Sequence, residues 1–337
     1  MKKLLTAILP AILVISMFVC GPLMAANESV IVYSALNEGD MVALQKKFKE
    51  DTGINLEYMV FSAGEGSARV LAEAKAPQAD IFVGGSMEVY APLKTAGALH
   101  QYRSPNAKDI APEYSDPDGY WQGWYMGVQS IIYNRDRFKE EIAPKGLKPP
   151  EGPDDLINPA YKGLLVGSNP ATAGGGYIFV ANQIFTRGEK GAWDFITALN
   201  KNIDHYTKGA GDVISLVATG EFVASYAWAH DSYNSVKQGY PLEIVIPQNT
   251  AFEVGAVAVI EGAHNLQNAK IFMDWLLTKE IGQINTDLSN RYSLRSDVSP
   301  PKGLPKVEDI KVSDYDRQKA AKMKDMVVKK FSQITGA

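Results

Sequence analysis

The order of strands and helices near the start of the chain constrains the fold more than any other feature. Three segments rich in β-branched or aromatic residues (30–33, 54–61 and 79–83) alternate with two segments predicted to be helical (39–51 and 67–75). Strands that alternate with helices form a parallel sheet, and crossovers between parallel strands are almost always right-handed. The loops that follow the three strands are therefore expected at one edge of the sheet, where open α/β sheets bind ligands.

The pattern resumes after an interruption, which indicates a second lobe. A polar, proline-containing stretch at 100–117 precedes aromatic residues and a strand at 128–133, interpreted as the crossing into that lobe. A chain of 337 residues usually forms two domains. Later strands are predicted at 164–166, 222–228, 242–246 and 254–260. The predicted divisions are 27–122 with 252–290 for lobe 1, 123–251 for lobe 2, and 291–337 for a C-terminal helical segment packed on the lobes.

Residues 1–26 have the features of a cleaved secretory signal peptide. Lys2 and Lys3 precede an apolar run at 4–19, and small residues for cleavage follow at Ala25 and Ala26. The apolar run is short for a helix that spans a membrane. We therefore expect the mature chain to start near residue 27 and to be exported.

Cleavage would remove Cys20, the one cysteine of the sequence. Lipid attachment at Cys20 is the alternative, although Val19 stands where lipoprotein signals carry a small residue. Without a cysteine, the mature chain has no disulfide, thiolate metal site or cysteine nucleophile.

The formal net charge is −4 and the sequence has no long basic run, so a nucleic-acid partner is not expected.

Loops rich in serine, threonine and glycine follow several predicted strands and precede helices. A helix N-terminus leaves about four N–H groups unpaired and carries about half a positive charge. Together with hydroxyl donors and glycine, such termini can bind phosphate, sulfate or carboxylate. Helix capping favours the same residue types, but three consecutive glycines exceed what a cap requires. The candidate anion-binding residues are Ser34, Ser62, Ala63, Gly64, Ser86, Thr172, Ala173, Gly174 and Gly175.

Arg69, in the second predicted helix, could complete this anion site with its planar guanidinium, or could simply be exposed to solvent. A cluster of aromatic residues leaves a similar choice open. Tyr120, Trp121, Trp124 and Tyr125 could stack on a sugar, but they fit better as the core of the crossing between the lobes.

His230, Asp231 and Glu253 form a second candidate group. His230 and Asp231 stand at the end of a predicted strand, with Glu253 further along the chain. Carboxylates accept hydrogen bonds from hydroxyls, and imidazole can accept or donate, so the three residues suit a polyol ring. A metal site is the less favoured alternative because the spacing matches no known metal motif. A surface pair at a helix start is the remaining alternative.

Several segments, taken in order, resemble the periplasmic solute-binding proteins of ferric-iron-binding type, which are components of ABC importers. The segments that carry the resemblance are 32–34, 48–54, 79–82, 158–163, and Ser168 with 172–174. It implies an α/β type 2 fold of two lobes, each a mixed sheet flanked by helices, joined by a two-strand hinge. It also implies a ligand in the cleft, a role for Ser168 in binding an anion, and an inner-membrane ABC permease as partner. We expect a periplasmic monomer with no cofactor, no bound metal and no enzymatic activity.

The departures from this family pattern concern the ligand. Iron-binding members carry a histidine where this chain has Asn37, a glutamate near Ser86, and two adjacent tyrosines at 230–231. The resemblance therefore points to members that bind hexose phosphates, in which a His-Asp pair and a later glutamate contact sugar hydroxyls. His230, Asp231 and Glu253 fit that pattern, and we group Asn37 with them.

The expected ligand is thus a small phosphorylated solute, most simply a sugar phosphate. Phosphonate, ferric-anion, polyamine and thiamine-type ligands are rivals within the same class. A secreted phosphatase is the rival among enzymes, and it would need a nucleophile beside a base or a metal cluster. The sequence has neither at a recognisable spacing, and it contains no Gly-x-Ser-x-Gly motif.

Overall fold

The computed structural model describes residues 29–337. The predicted signal peptide, with Cys20, lies outside the described residues. The strands are β1 (Ser29–Ser34), β2 (Asn55–Val60), β3 (Ile81–Ser86), β4 (Leu99–His100), β5 (Gln122–Asn134), β6 (Leu165–Ser168), β7 (Ile203–Thr207), β8 (Ala224–Trp228), β9 (Leu242–Val245), β10 (Phe252–Ile260) and β11 (Tyr292–Ser293). The helices are α1 (Glu38–Thr52), α2 (Ala63–Ala72), α3 (Tyr90–Thr95), α4 (Arg135–Arg137), α5 (Gly174–Asn200), α6 (Asp212–Ala218), α7 (Ala229–Lys237), α8 (Leu266–Leu276), α9 (Lys279–Ser289) and α10 (Arg317–Thr335). None of these helices combines the length and apolar character needed to cross a membrane.

The described strands form one mixed sheet with the main order β2-β1-β3-β10-β5-β8-β6-β7. β1 pairs in parallel with both β2 and β3, which confirms the arrangement predicted from the alternating pattern. We call the part around β1, β2 and β3 the first lobe and the part around β6, β7 and β8 the second lobe. The carboxyl ends of β1 and β3 lie side by side and face the second lobe through the loops that follow them.

Two antiparallel strands, β5 and β10, connect the lobes. The first part of β5 pairs with β10, and its last part pairs with β8 and β9 of the second lobe. The strand predicted at 128–133 is therefore only the end of a longer strand, which also contains the aromatic residues Trp124 and Tyr125. Both side chains are buried, as expected for a core at the crossing. The residue boundaries proposed for the lobes stay a prediction.

Each lobe has its own apolar core. In the first lobe, Phe48 of α1 packs edge-on against Phe272 and Trp275 of α8. In the second lobe, Phe179 of α5 stacks on Tyr226 of β8 with ring centres 3.8 Å apart. α10 packs along α5 and adds its buried apolar residues to the core of the second lobe. Two separate cores joined by two strands leave room for a cleft between them.

Candidate ligand-binding cleft

A cleft of about 400 Å³ lies between the lobes, at the carboxyl ends of β1 and β3 and at the N-termini of α1, α2 and α5. It therefore lies at the sheet edge expected from the order of the strands. The predicted site residues that line it are Asn37, Ser62, Ala63, Ala173, Gly174, Gly175, Asp231 and Glu253.

The N-termini of α2 and α5 meet across one end of the cleft. The N–H group of Gly64, in the first turn of α2, donates to the carbonyl of Thr172, 3.3 Å away. A Cβ atom on Gly64 would lie only 2.9 Å from the carbonyl oxygen of Ala171. α5 begins at Gly174, as predicted, and its N-cap residue Ala173 provides no side-chain cap. The glycine-rich first turn of α5 thus has N–H groups to offer to an anion.

α2 starts four residues earlier than predicted because Ser62 caps it. The Ser62 hydroxyl oxygen accepts a hydrogen bond from the backbone N–H of Glu65, and the Glu65 carboxylate bonds back to Ser62. This is a capping box, a motif that the Ser-x-x-Glu spacing could have revealed in the sequence. The Ser62 hydroxyl is therefore engaged within the protein, while Ala63 lines the cleft.

The Ser86 hydroxyl lies behind the N-terminus of α5. Ser86 is 1% exposed, and its Oγ has no hydrogen-bond partner among the residues that the structure describes. That oxygen would lie 3.5 Å from a Cβ atom on Gly174. Ser86 thus lies beside the N-terminus of α5 but is not among the residues that line the cleft, and its role in binding an anion stays a prediction.

Four other predicted anion-binding residues are bonded to protein groups. The Ser34 hydroxyl accepts from the N–H of Leu36, and the Thr172 hydroxyl donates to the Lys208 carbonyl. Ser168 is buried, and its N–H donates to the hydroxyl of Tyr226. Arg69 pairs with Glu73 at 2.7 Å and lies over the rings of Tyr33 and Phe61. Their roles in binding an anion stay predictions.

Glu253 lines the other end of the cleft, whereas His230 is fully buried beside it and is not among the residues that line the cleft. Both are buried, and both flank Gly127 of β5. A Cβ atom at position 127 would lie 2.4 Å from Cε1 of His230 and 3.0 Å from Oε1 of Glu253. Within the described part of the chain, neither ring nitrogen of His230 has a hydrogen-bond partner, and Nε2 lies 3.4 Å from Oδ2 of Asp231.

Arg291 is a charged residue of this site that sequence reasoning missed, as it missed Glu38, Glu65, Asp212 and Trp228. It lines the cleft, is 3% exposed, and lies over the ring of Tyr125 at 4.9 Å. One terminal nitrogen donates to Asp40 at 2.6 Å and the other to Asp231 at 3.2 Å. Arg291 follows α9 directly in a short link to β11. No local pattern distinguishes it from an exposed arginine in a turn.

Burial and the neighbouring charges determine the protonation states at this end. Burial raises the pKa of Glu253 to about 8, against the effect of Arg291, and Asp231 raises it further. Burial also lowers the pKa of His230. Burial acts to raise the pKa of Asp231, but His230, Arg291 and Asn37 outweigh it and hold that pKa below its usual range. Near neutral pH, Glu253 is thus mostly protonated and presents an uncharged carboxyl group to the cleft.

Glu253→Gln is expected to make the stability less dependent on pH. The folded-state pKa is raised from 4.5 to about 8, so the stabilising contribution of the bound proton is complete below pH 4.5. It is lost between pH 4.5 and 8, because the unfolded chain releases the proton first. Urea unfolding at several pH values across this range should therefore show a smaller loss in the variant than in the native protein.

Exposed Glu57→Gln on β2 serves as the control for the loss of one carboxyl group. Burial also raises the pKa of Glu88, but Glu88 is present in all three proteins, so the comparison isolates Glu253. Parallel stability curves for the native protein and Glu253→Gln would contradict the raised pKa.

Among residues 29–337, no group of three or more histidine, cysteine, aspartate or glutamate side chains is arranged to hold a metal ion.

Comparison with known proteins supports the architecture. Residues 76–322 match the family model for bacterial extracellular solute-binding proteins. A Haemophilus influenzae protein of uncharacterised function is 31% identical over 83% of this chain and 81% of its own. A Salmonella typhi periplasmic protein proposed to bind 2-aminoethylphosphonate is 25% identical over 82% and 81%. The periplasmic binding protein AfuA of Actinobacillus pleuropneumoniae, solved with fructose-6-phosphate, has a TM-score of 0.87 and 27% identity over 91% of this chain and 98% of that one. The predicted two-lobe α/β fold is thereby confirmed.

Proposed function

Because the chain belongs to the bacterial extracellular solute-binding proteins, the substrate-binding components of ABC importers, we propose that it binds a phosphorylated small molecule. The ligand we favour is a sugar phosphate such as a hexose 6-phosphate, held in the cleft and delivered to an inner-membrane permease. Members of the family bind substrates for transport, and we assign no enzymatic reaction to this chain. Its relatives include periplasmic proteins, and we place this protein in the periplasm after removal of residues 1–26.

The convergence of two helix N-termini on one end of the cleft carries this proposal. Ala63 of α2 and Gly174 of α5 both line that end, and the two termini touch through Gly64 and Thr172. A phosphate group there would accept hydrogen bonds from backbone N–H groups in the first turn of α5. Charge-assisted hydrogen bonds contribute about 1.5–3 kcal/mol each, so a few of them support an affinity near the micromolar range.

The opposite end of the cleft suits the sugar. Glu253 lines the cleft, and in its protonated form it can donate one hydrogen bond and accept others. Tyr125 and Trp228 also line the cleft and add aromatic surface next to the sugar. An unphosphorylated sugar would lack the interactions at the helix N-termini, and inorganic phosphate would lack those at this end.

A second ligand class is supported by the acidic residues of the cleft. Glu38, Glu65 and Asp212 all line it, and carboxylates attract an ammonium group. An aminoalkylphosphonate has an anionic and a cationic end, and one relative is proposed to bind 2-aminoethylphosphonate. We therefore keep an aminoalkylphosphonate as the alternative.

Titration calorimetry separates these ligands. We expect fructose 6-phosphate or glucose 6-phosphate to bind with a Kd on the order of micromolar, and fructose and inorganic phosphate to bind far more weakly. Binding of 2-aminoethylphosphonate without a response to hexose phosphates would favour the alternative. Binding of ferric ion with no response to any organophosphate would contradict both ligand classes. Hydrolysis of a chromogenic phosphate ester would instead support the alternative that the protein is a secreted phosphatase.

A further inference from the structure

The carboxylate of Asp231 is engaged mainly by the protein itself. Its Oδ1 accepts hydrogen bonds from Nδ2 of Asn37 at 2.8 Å and from a terminal nitrogen of Arg291 at 3.2 Å. Its Oδ2 lies 3.4 Å from Nε2 of His230. A carboxylate offers about four acceptor positions, so three of them face protein groups.

The partners of Asp231 come from the opposite lobe. Asp231 lies in the first turn of α7, which directly follows β8 of the second lobe. Asn37 is the N-cap residue of α1, which packs on β2 of the first lobe. Arg291 precedes β11, and β11 pairs with the part of β5 that contacts β10. Both hydrogen bonds to Oδ1 therefore cross the cleft.

Asp40 anchors Arg291 on the first lobe. The guanidinium donates to Oδ2 of Asp40 at 2.6 Å, and the side chain of Arg291 is 4% exposed. Asp40 belongs to α1, as does the helix start at Asn37. A buried arginine held by one carboxylate of its own lobe is therefore oriented to bind a second carboxylate from the other lobe.

Asn290 adds a second connection at the same place. Asn290 adopts a left-handed conformation (φ 57°) at the end of α9. Its amide nitrogen donates to Oδ1 of Asn234 at 2.7 Å and to the carbonyl of His230 at 3.4 Å. Its amide oxygen accepts from Lys237 at 3.2 Å. His230, Asn234 and Lys237 all belong to α7. Asn290 therefore binds the beginning, the middle and the end of this helix.

We infer that Asp40, Arg291, Asp231 and Asn37 form an interlobe latch, which stabilises the closed cleft independently of the ligand. In this arrangement Asp231 is a positioning residue that holds the lobes together and orients His230. Its main role is then closure, with direct recognition of sugar hydroxyls left to Glu253. The inference uses the proposed function only to choose the ligands for its test.

The latch has a definite consequence for affinity. When only the closed form binds tightly, the measured Kd equals the intrinsic Kd of the closed form divided by the fraction of ligand-free protein that is closed. Loss of the latch lowers that fraction, so it raises the Kd of every ligand by the same factor. Loss of a sugar-binding group would instead raise the Kd of a sugar phosphate and leave that of inorganic phosphate unchanged.

The test uses Asp231→Asn and the milder Asn37→Ala in the full-length mature protein. Asn37→Ala removes one contact across the cleft without removing a helix cap, because the Asn37 side chain makes no capping hydrogen bond. Small-angle scattering of the ligand-free protein measures the closed fraction. Calorimetry measures the Kd of fructose 6-phosphate and of inorganic phosphate, with exposed Asp204→Asn in the second lobe as the control.

We expect a lower closed fraction in both variants and, for Asp231→Asn, a Kd that rises about tenfold for both ligands. In the double variant the two effects should not add fully, because both substitutions weaken the contact between Asn37 and residue 231. An unchanged closed fraction, or a loss confined to fructose 6-phosphate, would overturn the latch. If the native protein binds neither phosphate compound, the proposed function fails, while the scattering comparison still decides on the latch.

Discussion

Proline in place of Gly174 is expected to weaken the binding of a hexose 6-phosphate by about 10- to 100-fold, because it deletes one N–H donor to the phosphate. Gly174 is the first residue of α5, where proline is well tolerated. Ala173 before it is extended (φ −104°, ψ 121°), as a residue before proline must be. Titration calorimetry and thermal unfolding together should show lost affinity with α5 preserved.

Gly174→Ala is the matched control for this substitution. Its Cβ atom would lie 3.5 Å from Oγ of Ser86 and 3.9 Å from Cβ of Ala63, which are ordinary contacts, and the N–H group is kept. We expect Gly174→Ala to bind close to normally. Equal affinities for the alanine and proline variants would show that the N-terminus of α5 does not bind the anion.

Gly64→Ala is expected to weaken ligand binding about tenfold or more by blocking closure. The added Cβ atom would lie 2.9 Å from the carbonyl oxygen of Ala171 and 3.0 Å from that of Thr172, both backbone atoms of the opposite lobe. Overpacking of this kind costs about 1–3 kcal/mol. Alanine is more favourable in a helix than glycine by about 0.5–1 kcal/mol. The free energy of unfolding should therefore fall by less than the free energy of ligand binding.

The control for Gly64→Ala is Gly39→Ala in the first turn of α1, where a Cβ atom would meet nothing within 4 Å. Calorimetry gives the affinities, and small-angle scattering with saturating ligand shows whether the lobes close. Normal affinity in Gly64→Ala would mean that the contact with Thr172 is absent from the bound form.

The sequence was informative wherever a structure depends on residues that are close along the chain. The alternation of strands and helices predicted that β1, β2 and β3 are parallel, and the glycines at 174–176 marked the start of α5. The same local reasoning could have placed the start of α2 correctly, since Ser62 and Glu65 have the spacing of a capping box. The resemblance to the solute-binding proteins then added the two-lobe arrangement.

The tertiary structure alone decided which groups meet across the cleft. β5 extends to Gln122 because it pairs with strands of both lobes, whereas the sequence pattern indicated only its second part. Arg291 binds Asp231 across 60 residues of chain, and Gly64 contacts Thr172 across more than a hundred. Periodicity and capping are set by neighbours within a few positions, so they determine the elements and their order. Contacts between distant segments depend on how the two cores pack on the shared strands, and no local pattern encodes that geometry.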